Sequence, residues 1–435
     1  MTFPFARNLV ACSAIYALPL WIVSAWLFIA VPATAASEPQ GELTLKQAVA
    51  TALARNPELT VSAYELQVTD ARVMQAGLKL NPEAAVEFEN FAGTRDASGV
   101  KSLETTLSLS QVLELGGKRA SRVNVARLDG EVNGIARQAQ QLDVLAEVTR
   151  RFINVVAAQH AVELCRRATE LSKQTLDAIT VRVQAARTPI AEQSRAGIAV
   201  TRARIEQQQA ENNLQGARRM LAAQWGSRTA EFVSASADLF AFPAVNSFDS
   251  LSTKLQGNPD FLRFASEARL RGAEVHLEQV RARPNLNLSV GVRRFEATDN
   301  VALVAGFSMA LPVSNRNQGA IREAEVRREQ LRVQSQAVLI RADATLYSLY
   351  QELLSARLRV ETLRNEAIPQ AEAALAQTQY GYERGRFSYL ELAVAQQELL
   401  GLQSAAIEAA VDYHQQLTEI ERLTGEPLVV SGGTP

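Results

Sequence analysis

The sequence IPQAEAALAQTQYGYERGRFSYLELAVAQQELL, residues 368–400, decides the fold of this chain. It predicts the end of one long helix, a tight turn at Gly385 and the start of a returning helix. Gly385 is suited to leaving a helix, because glycine adopts positive φ without a steric clash at Cβ. On local pattern alone this is an ordinary helical hairpin, so its meaning depends on the rest of the chain. Small or apolar residues recur along its two arms at Ala367, Ala374, Gly381, Leu390, Val394 and Leu400.

Two long segments repeat apolar residues with a sustained period of 3.5, which is typical of helices packed in a coiled coil. Taken as one helix, Lys118 to Gln184 would be ~100 Å long at 1.5 Å per residue. Pro369 is expected to bend its helix locally, because proline lacks the N–H donor and crowds the preceding turn. The repeating positions are Val132, Ile135, Ala139, Leu142, Ala146, Thr149, Ile153 and Val156, and then Ala342, Leu346, Leu349, Leu353, Ala356, Val360, Leu363 and Ala367.

Four extended segments alternate apolar and polar residues, at about 83–91, 102–111, 285–294 and 301–311. A period of two predicts β-strands with one apolar and one polar face, and the first segment shows it most weakly. Each has about the length that a tilted strand needs to cross a bilayer core. The sequence therefore predicts two amphipathic hairpins of membrane-spanning length.

The N-terminus carries a long apolar run, from Leu9 to Val31, followed by Ala33-Thr34-Ala35. The small residues match a signal peptidase site, so residues 1–35 are predicted to be a signal peptide that is cleaved after Ala35. The alternative is an uncleaved membrane anchor, since the run is long enough to span a bilayer. The mature chain would keep one cysteine, Cys165, which can form no internal disulfide and is expected to pack as a small apolar residue.

The mature chain repeats itself with a period near 200 residues. Asn56-Pro57 corresponds to Asn258-Pro259 at a shift of 202, and Gly226 corresponds to Gly425 at a shift of 199. This period is far longer than a solenoid unit, so it indicates a two-fold duplication. Each half would run helix, strand, strand, long helix, turn and long helix.

The duplication sets the predicted organisation of the chain. The first helix of each half is predicted at about 44–80 and 248–283, with Thr44 and Asp249 as N-caps. The segment between the halves contains Pro, Ser and Phe and shows no helical period. The boundaries are a first repeat at 36–226, a linker at 227–247, a second repeat at 248–425 and a C-terminal tail at 426–435.

Composition and motifs argue against catalysis and nucleic-acid binding. The 45 basic and 46 acidic residues nearly balance, so no nucleic-acid surface is indicated. No HExxH motif, CxxC pair or Cys/His cluster is present, so we expect no protein-held metal, no cofactor and no enzyme activity. The three histidines, His160, His276 and His414, are far apart in sequence and are expected to be packed or surface residues.

The four amphipathic strands constrain the assembly. An open sheet edge in lipid leaves backbone groups unpaired at several kcal/mol each, and single-chain barrels begin at about eight strands. Several copies must therefore share one barrel, and three copies of about four strands would give about twelve and leave a lumen. The long helices would extend away from the membrane as a second, helical barrel. The predicted fold class is thus mainly α with a membrane β part.

The chain resembles the TolC-type outer-membrane efflux factors over essentially the whole mature sequence. Pro369, Tyr380, Gly385, Leu390 and Ala395-Gln396 have the spacing of that family. Two shorter motifs are similar to the branch that serves heavy-metal efflux pumps of the cobalt–zinc–cadmium type. These motifs are Leu113-Glu114-Leu115-Gly116-Gly117-Lys118-Arg119, and Thr188-Pro189-Ile190-Ala191-Glu192 followed by Arg195.

The resemblance implies a homotrimer in the outer membrane of a Gram-negative bacterium, with a long periplasmic extension. It also implies two partners, a periplasmic adaptor (a membrane fusion protein) and an inner-membrane transporter of the resistance–nodulation–division class. Glu391 matches an acidic position near the tip that narrows the pore and favours cations in relatives. Val394 replaces the second expected acid, and the alternative for Glu391 is an ordinary solvated helix face. The residues implied to meet the adaptor are Arg187, Thr188, Pro189, Ile190, Gly385, Arg386, Phe387, Ser388 and Tyr389.

The function predicted from the sequence is a passive exit duct of a tripartite efflux system, with heavy-metal cations as the expected cargo. A duct for drugs or for type I protein secretion has the same fold and stays open as an alternative. A competing hypothesis of another class is a periplasmic coiled-coil adaptor or scaffold that forms no pore. That hypothesis leaves the four amphipathic strands without a role.

Overall fold

The structure, a computed structural model, describes residues 38–425, so the predicted signal peptide and tail lie outside it. Within these residues no helix is both long and apolar enough to cross a membrane. The helices are α1 (Leu45–Arg55), α2 (Pro57–Ala76), α3 (Lys118–Gln184), α4 (Ile190–Ala222), α5 (Phe248–Lys254), α6 (Pro259–Arg281), α7 (Gln318–Thr362), α8 (Ile368–Glu383) and α9 (Tyr389–Thr424). The strands are β1 (Gly41–Thr44), β2 (Glu83–Glu89), β3 (Glu104–Leu113), β4 (Phe232–Ser236), β5 (Leu286–Phe295) and β6 (Asn300–Met309).

The four amphipathic segments form one antiparallel sheet in the order β2-β3-β5-β6. Each strand begins and ends within two residues of the segment in which the sequence alternates. The hairpins β2–β3 and β5–β6 are joined by pairing of β3 with β5, where Leu107 lies opposite Val292 and Leu109 opposite Val290. Within the described chain, β2 and β6 each keep one edge without a partner strand.

The two faces of this sheet differ in chemistry. One face is polar and carries Thr106, Ser108 and Arg293, and Arg293 forms ion pairs with Glu89 (2.7 Å) and Glu104 (2.9 Å). The other face is apolar and exposed, with Leu303 85% and Phe307 80% accessible. A soluble domain normally covers such a face, so its exposure indicates a membrane or a partner. The further exposed apolar residues of this face are Val86, Phe88, Leu107, Leu109, Val290, Val292 and Val301.

The long helices bury several of the predicted repeat positions, among them Ala146, Ile153, Leu346 and Leu353. α3 runs without a break from Lys118 to Gln184, which makes it ~100 Å long at 1.5 Å per residue. In the second half, α7 and α8 are joined by a π-helical segment, Leu363–Ala367, immediately before Pro369. The π-helical segment changes the backbone hydrogen-bonding pattern directly before Pro369, which has no N–H to donate, and the helix continues into α8.

The first helix of each half is broken, and the predictions of one helix at 44–80 and another at 248–283 are therefore wrong. The breaks lie at Asn56 and Asn258, each directly before a proline, because a residue that precedes proline disfavours the helical region. Thr44 caps α1 as expected, in a capping box with Gln47. Asp249 is not a cap, since α5 is preceded by Ser247 and Asp249 lies in its first turn.

Each of these asparagines holds three segments together. Asn56 accepts hydrogen bonds from the N–H groups of Glu58 and Leu59 and donates to the carbonyl of Gln224 (2.8 Å). Asn258 accepts from the N–H of Asp260 and donates to the carbonyls of Arg422 (2.7 Å) and Leu423 (3.0 Å). Both side chains are buried, and the same joint is therefore built once in each half.

We expect Asn56→Ala to lower the free energy of unfolding by about 1–3 kcal/mol, because it removes an N-cap and leaves a buried carbonyl without its donor. Thermal unfolding followed by circular dichroism measures this. The matched control is Asn213→Ala, which makes the same change at an exposed position within α4. Equal melting temperatures for the two variants would contradict the role of Asn56.

The linker, residues 227–247, contains a strand that the sequence pattern does not indicate. β4 pairs in parallel with β1, and the two strands are too short for their alternation to stand out. The linker also covers two histidines. The His160 ring lies 5.8 Å from the Phe240 ring, and His414 bonds the Leu239 carbonyl at 2.9 Å. Burial lowers the pKa of both imidazoles, which are packed residues rather than ligands.

Candidate functional site

The candidate site comprises the two hairpin tips at the ends of the long helices farthest from the sheet. The first tip, residues 185–189, joins α3 to α4, and the second, residues 384–388, joins α8 to α9. Both leave the helix through a left-handed residue, Ala186 (φ 57°) and Gly385 (φ 73°). In both, the next N–H bonds back to a carbonyl of the ending helix, at 2.9 Å and 2.8 Å. The predicted exit at Gly385 is confirmed, and the first tip adopts the same turn with alanine.

The implied adaptor-contacting residues divide into an exposed set and one buried residue. Thr188 is half-buried, and the others from Arg187 to Ile190 and from Gly385 to Ser388 are exposed. Phe387 lies over Gly381, where any Cβ would come within 2.2 Å of the phenyl ring. Tyr389 is only 6% exposed, and burial raises the pKa of its hydroxyl. Its side chain is therefore unavailable to a partner.

An apolar cluster packs the two hairpins against each other just behind the tips. The hydroxyl of Tyr382 is buried in it without a hydrogen-bond partner among residues 38–425, and burial raises its pKa. The sequence pattern favours Leu390 and Val394 as packing positions, but both are more than half exposed. They lie on the opposite side of α9 from this cluster. Its buried members are Ile179, Ala196, Tyr382, Tyr389 and Leu392.

Arg182 on α3 links the first hairpin to the second. Its Nη1 donates to the carbonyls of Tyr382 (2.8 Å) and Glu383 (3.3 Å), and its Nε donates to Thr188 Oγ1 (3.3 Å). Its guanidinium carbon also lies 4.6 Å from the centre of the Tyr382 ring. The end of α8 thus receives a cation where its helix dipole is negative. Sequence reasoning missed Arg182, because an arginine near a helix end carries no signal of a long-range contact.

Glu391 has a local structural role at the start of α9. Its carboxylate accepts hydrogen bonds from the N–H (2.7 Å) and Oγ (2.9 Å) of Ser388, while Ser388 Oγ accepts from the Glu391 N–H. This is a capping box. The backbone hydrogen bond from Ser388 lowers the pKa of this exposed carboxyl, so it stays ionised to lower pH than a free glutamate. Glu391 therefore provides both a cap for α9 and a negative charge at the tip.

Within residues 38–425, the tips and the sheet present exposed side chains, charge and shape. Among the described residues, no group of three or more His, Cys, Asp or Glu side chains is placed to hold a metal ion. The remaining features are a two-faced sheet with open edges and a pair of helical hairpins that extend about 100 Å from it. This combination defines a membrane protein of the outer-membrane channel class, in which a strand region is continued by long helices.

The comparison with known families agrees with that class. The model of the outer membrane efflux protein family matches residues 48–227 and again residues 251–426. The chain therefore belongs to the outer membrane efflux proteins, and it is an outer-membrane protein.

Individual relatives cover nearly the whole chain. The cobalt-zinc-cadmium resistance protein CzcC of Cupriavidus metallidurans is 30% identical over 89% of this chain and 91% of its own. The nickel-cobalt-cadmium resistance protein NccC of Alcaligenes xylosoxydans is 23% identical over 79% of this chain and 71% of its own. Among solved structures, the open state of the Neisseria gonorrhoeae MtrE outer membrane channel matches with a TM-score of 0.71 and 18% identity, over 90% of this chain and 91% of that one.

Proposed function

We propose that three copies of this chain form a continuous duct through the outer membrane and into the periplasm. Three sheets of four strands would close a barrel of twelve, in which the unpaired edge of β6 meets β2 of the next copy. The observation that carries this proposal is an open sheet with an exposed apolar face. The polar face, with Thr106, Ser108 and Arg293, would then line the aqueous lumen.

The helices support the same assembly through their internal symmetry. α6 packs between α3 and α7, whereas its counterpart α2 packs chiefly against α3. Leu270 on α6 is 7% exposed and Val280 is 2% exposed, but their counterparts, Val68 on α2 and Leu78 just after it, are 42% and 52% exposed. The uncovered side of α2 is thus the surface that a further helix would cover.

A surface of α7 is suited to cover the exposed side of α2. One stripe of exposed apolar residues follows this helix at intervals of seven, which is the spacing of a coiled-coil contact. We propose that this stripe packs against α2 of the next subunit, as α3 packs against α6 within one chain. Because each chain contributes two repeats, a ring that closes after six repeats contains three chains. The stripe, hereafter the α7 stripe, consists of Val326, Val333, Ile340, Tyr347 and Leu354.

The duct would be passive and would receive its cargo from a periplasmic adaptor and an inner-membrane resistance–nodulation–division transporter. The names of CzcC and NccC support heavy-metal cations as the cargo, and a drug or type I secretion duct is the alternative. The chain itself would hold no cofactor and catalyse no reaction. The tip residues from Arg187 to Ile190, of which Thr188 is half-buried, and the exposed residues from Gly385 to Ser388 are proposed to meet the adaptor, without Tyr389.

We expect Glu391→Gln to lower the ratio of cation to anion permeability of the duct by about two-fold or more, because three symmetry-related carboxylates concentrate negative charge at the narrow end. Glutamine can keep the capping box, so the melting temperature should not change. Reversal potentials in a salt gradient measure the ratio. Glu383→Gln, a neighbouring exposed glutamate on α8, is the control. An unchanged ratio would assign Glu391 to helix capping alone.

Single-channel recording of the purified protein in planar bilayers tests the proposed duct. A water-filled conductance is the expected result, and a protein that never conducts, even with its adaptor, would contradict it. Recovery of the chain in the soluble periplasmic fraction would favour the scaffold alternative. A deletion strain grown with zinc, cobalt, cadmium, nickel or copper, and with common antibiotics, would separate metal cargo from drugs.

A further inference from the structure

An apolar cavity of about 490 Å³ lies beneath the linker, between α3 and α9. It is remote from the hairpin tips and from the four-stranded sheet, and the proposed duct gives it no role. Such a volume is within the range of sites that hold a ligand or an inserted segment. Its apolar lining includes Leu45, Phe152, Val156, Leu239, Phe242 and Leu417.

The chain leaves α9 next to this cavity. Gly425 ends the helix in the left-handed conformation (φ 72°), with its N–H bonded to the carbonyl of Glu421 at 2.9 Å. A left-handed residue at this position turns the chain away from the helix axis. Gly425 lines a smaller pocket together with Thr149 and Thr418, and these two residues also line the cavity. The exit point and the cavity are therefore contiguous.

The first half of the chain contains the corresponding glycine, Gly226 (φ 77°). Here the structure also describes the residues that follow the glycine. There the chain folds back along its own helix, and the carbonyl of Phe232 accepts a hydrogen bond from Arg218. Phe232 is 1% exposed, so an apolar residue shortly after the exit is buried beside the helix just left. The shift of 199 that relates Gly226 to Gly425 relates Arg218 to Leu417, which lines the cavity.

We propose that Leu428, Val429 and Val430, in the tail beyond the described residues, occupy this cavity. At roughly 3.3–3.6 Å per extended residue they reach about 10–18 Å from Gly425. Glu421 and His414, which mark the extent of the cavity along α9, lie about 6–17 Å back from Gly425 at 1.5 Å per helical residue. The apolar triplet thus matches the cavity in distance and in chemistry, and the tail would tie α9 to α3 and the linker.

Disulfide trapping in the full-length protein tests this placement. Val429→Cys is combined with Ala241→Cys, which lines the cavity, in a background in which both native cysteines are replaced, Cys12→Ser and Cys165→Ser. Mild oxidation should give an intrachain link in most molecules, identified by peptide mass mapping. Gly433→Cys with Ala241→Cys is the matched pair and should link several-fold less. Two introduced cysteines that both stay free thiols, or a link only between two copies of the chain, would overturn the proposal.

A second measurement does not depend on cysteine geometry. Leu428→Asp with Val430→Asp should lower the melting temperature and increase the fluorescence of anilinonaphthalene sulfonate several-fold, because the emptied cavity admits the dye. Ser431→Asp with Thr434→Asp adds the same charge and should change neither. Equal effects of the two pairs, or full dye binding to the unaltered protein, would contradict occupancy by the tail. Both tests are read on purified protein and hold whether or not it conducts.

Discussion

Val333→Glu combined with Ile340→Glu is expected to abolish the assembled channel. These residues lie at the centre of the α7 stripe and are 54% and 63% exposed in the single chain. Each would lose about 1.5–3 kcal/mol of apolar burial at the subunit contact, and each would bring an unpaired carboxylate into it. The loss applies at all three contacts of the ring. We therefore expect a monomer in detergent and no conductance in bilayers.

A matched pair of substitutions separates assembly from folding. Gln334→Glu with Thr345→Glu adds two charges to exposed positions of α7 off the stripe, and this pair should leave the trimer intact. Helix content by circular dichroism should be the same in both double variants, since neither pair enters the core of one chain. Size-exclusion chromatography with light scattering gives the mass. A stable trimer of the Val333/Ile340 variant would exclude the α7 stripe as the subunit contact.

Arg182→Ala should increase the open probability of the duct about 10- to 100-fold. The arginine is a polar link between the two hairpins, in addition to the hydrogen bond from Gln396 to Thr175 (3.0 Å), and hydrogen bonds from a charged donor contribute about 1.5–3 kcal/mol. A loss of that size shifts an opening equilibrium by one to two powers of ten. Single-channel recording measures the open probability directly.

Two controls give the Arg182 prediction its specificity. Arg182→Lys keeps the charge but not the fork of donors, so its effect should lie between those of wild type and alanine. Arg386→Ala removes an exposed arginine of the second tip and should leave the open probability near the wild-type value. If Arg182→Ala and Arg386→Ala change the open probability equally, the loss of positive charge rather than the link between the hairpins controls opening.

Patterns that persist over many residues are sufficient to predict the main helices and strands from the sequence. α3 has the predicted bounds, because a 3.5-residue repeat sustained over dozens of residues leaves little freedom in its assignment. The four strands can be found from alternation alone, because one face of the sheet is apolar and the other is polar.

The features that the sequence did not predict depend on local effects that override periodicity or on contacts between distant residues. Asn56 and Asn258 interrupt helices whose apolar period continues across them, so the rule for the residue before proline outweighs periodicity. β1 and β4 pair between residues 191 or 192 positions apart, and neither strand is long enough to show a pattern. Within the candidate site, Gly385 could be predicted from its turn chemistry. Arg182 could not, since its partners are backbone carbonyls of a helix 200 residues away.

The central claim is that the four-stranded sheet is one third of a closed wall. Native mass spectrometry of the full-length protein released from detergent tests this most directly, because it counts the chains in the particle. Our account predicts three copies, with no stable smaller species that conducts. A single chain or a pair of chains that retains conductance would contradict it, since neither could pair the free edges of β2 and β6 in a ring of twelve strands.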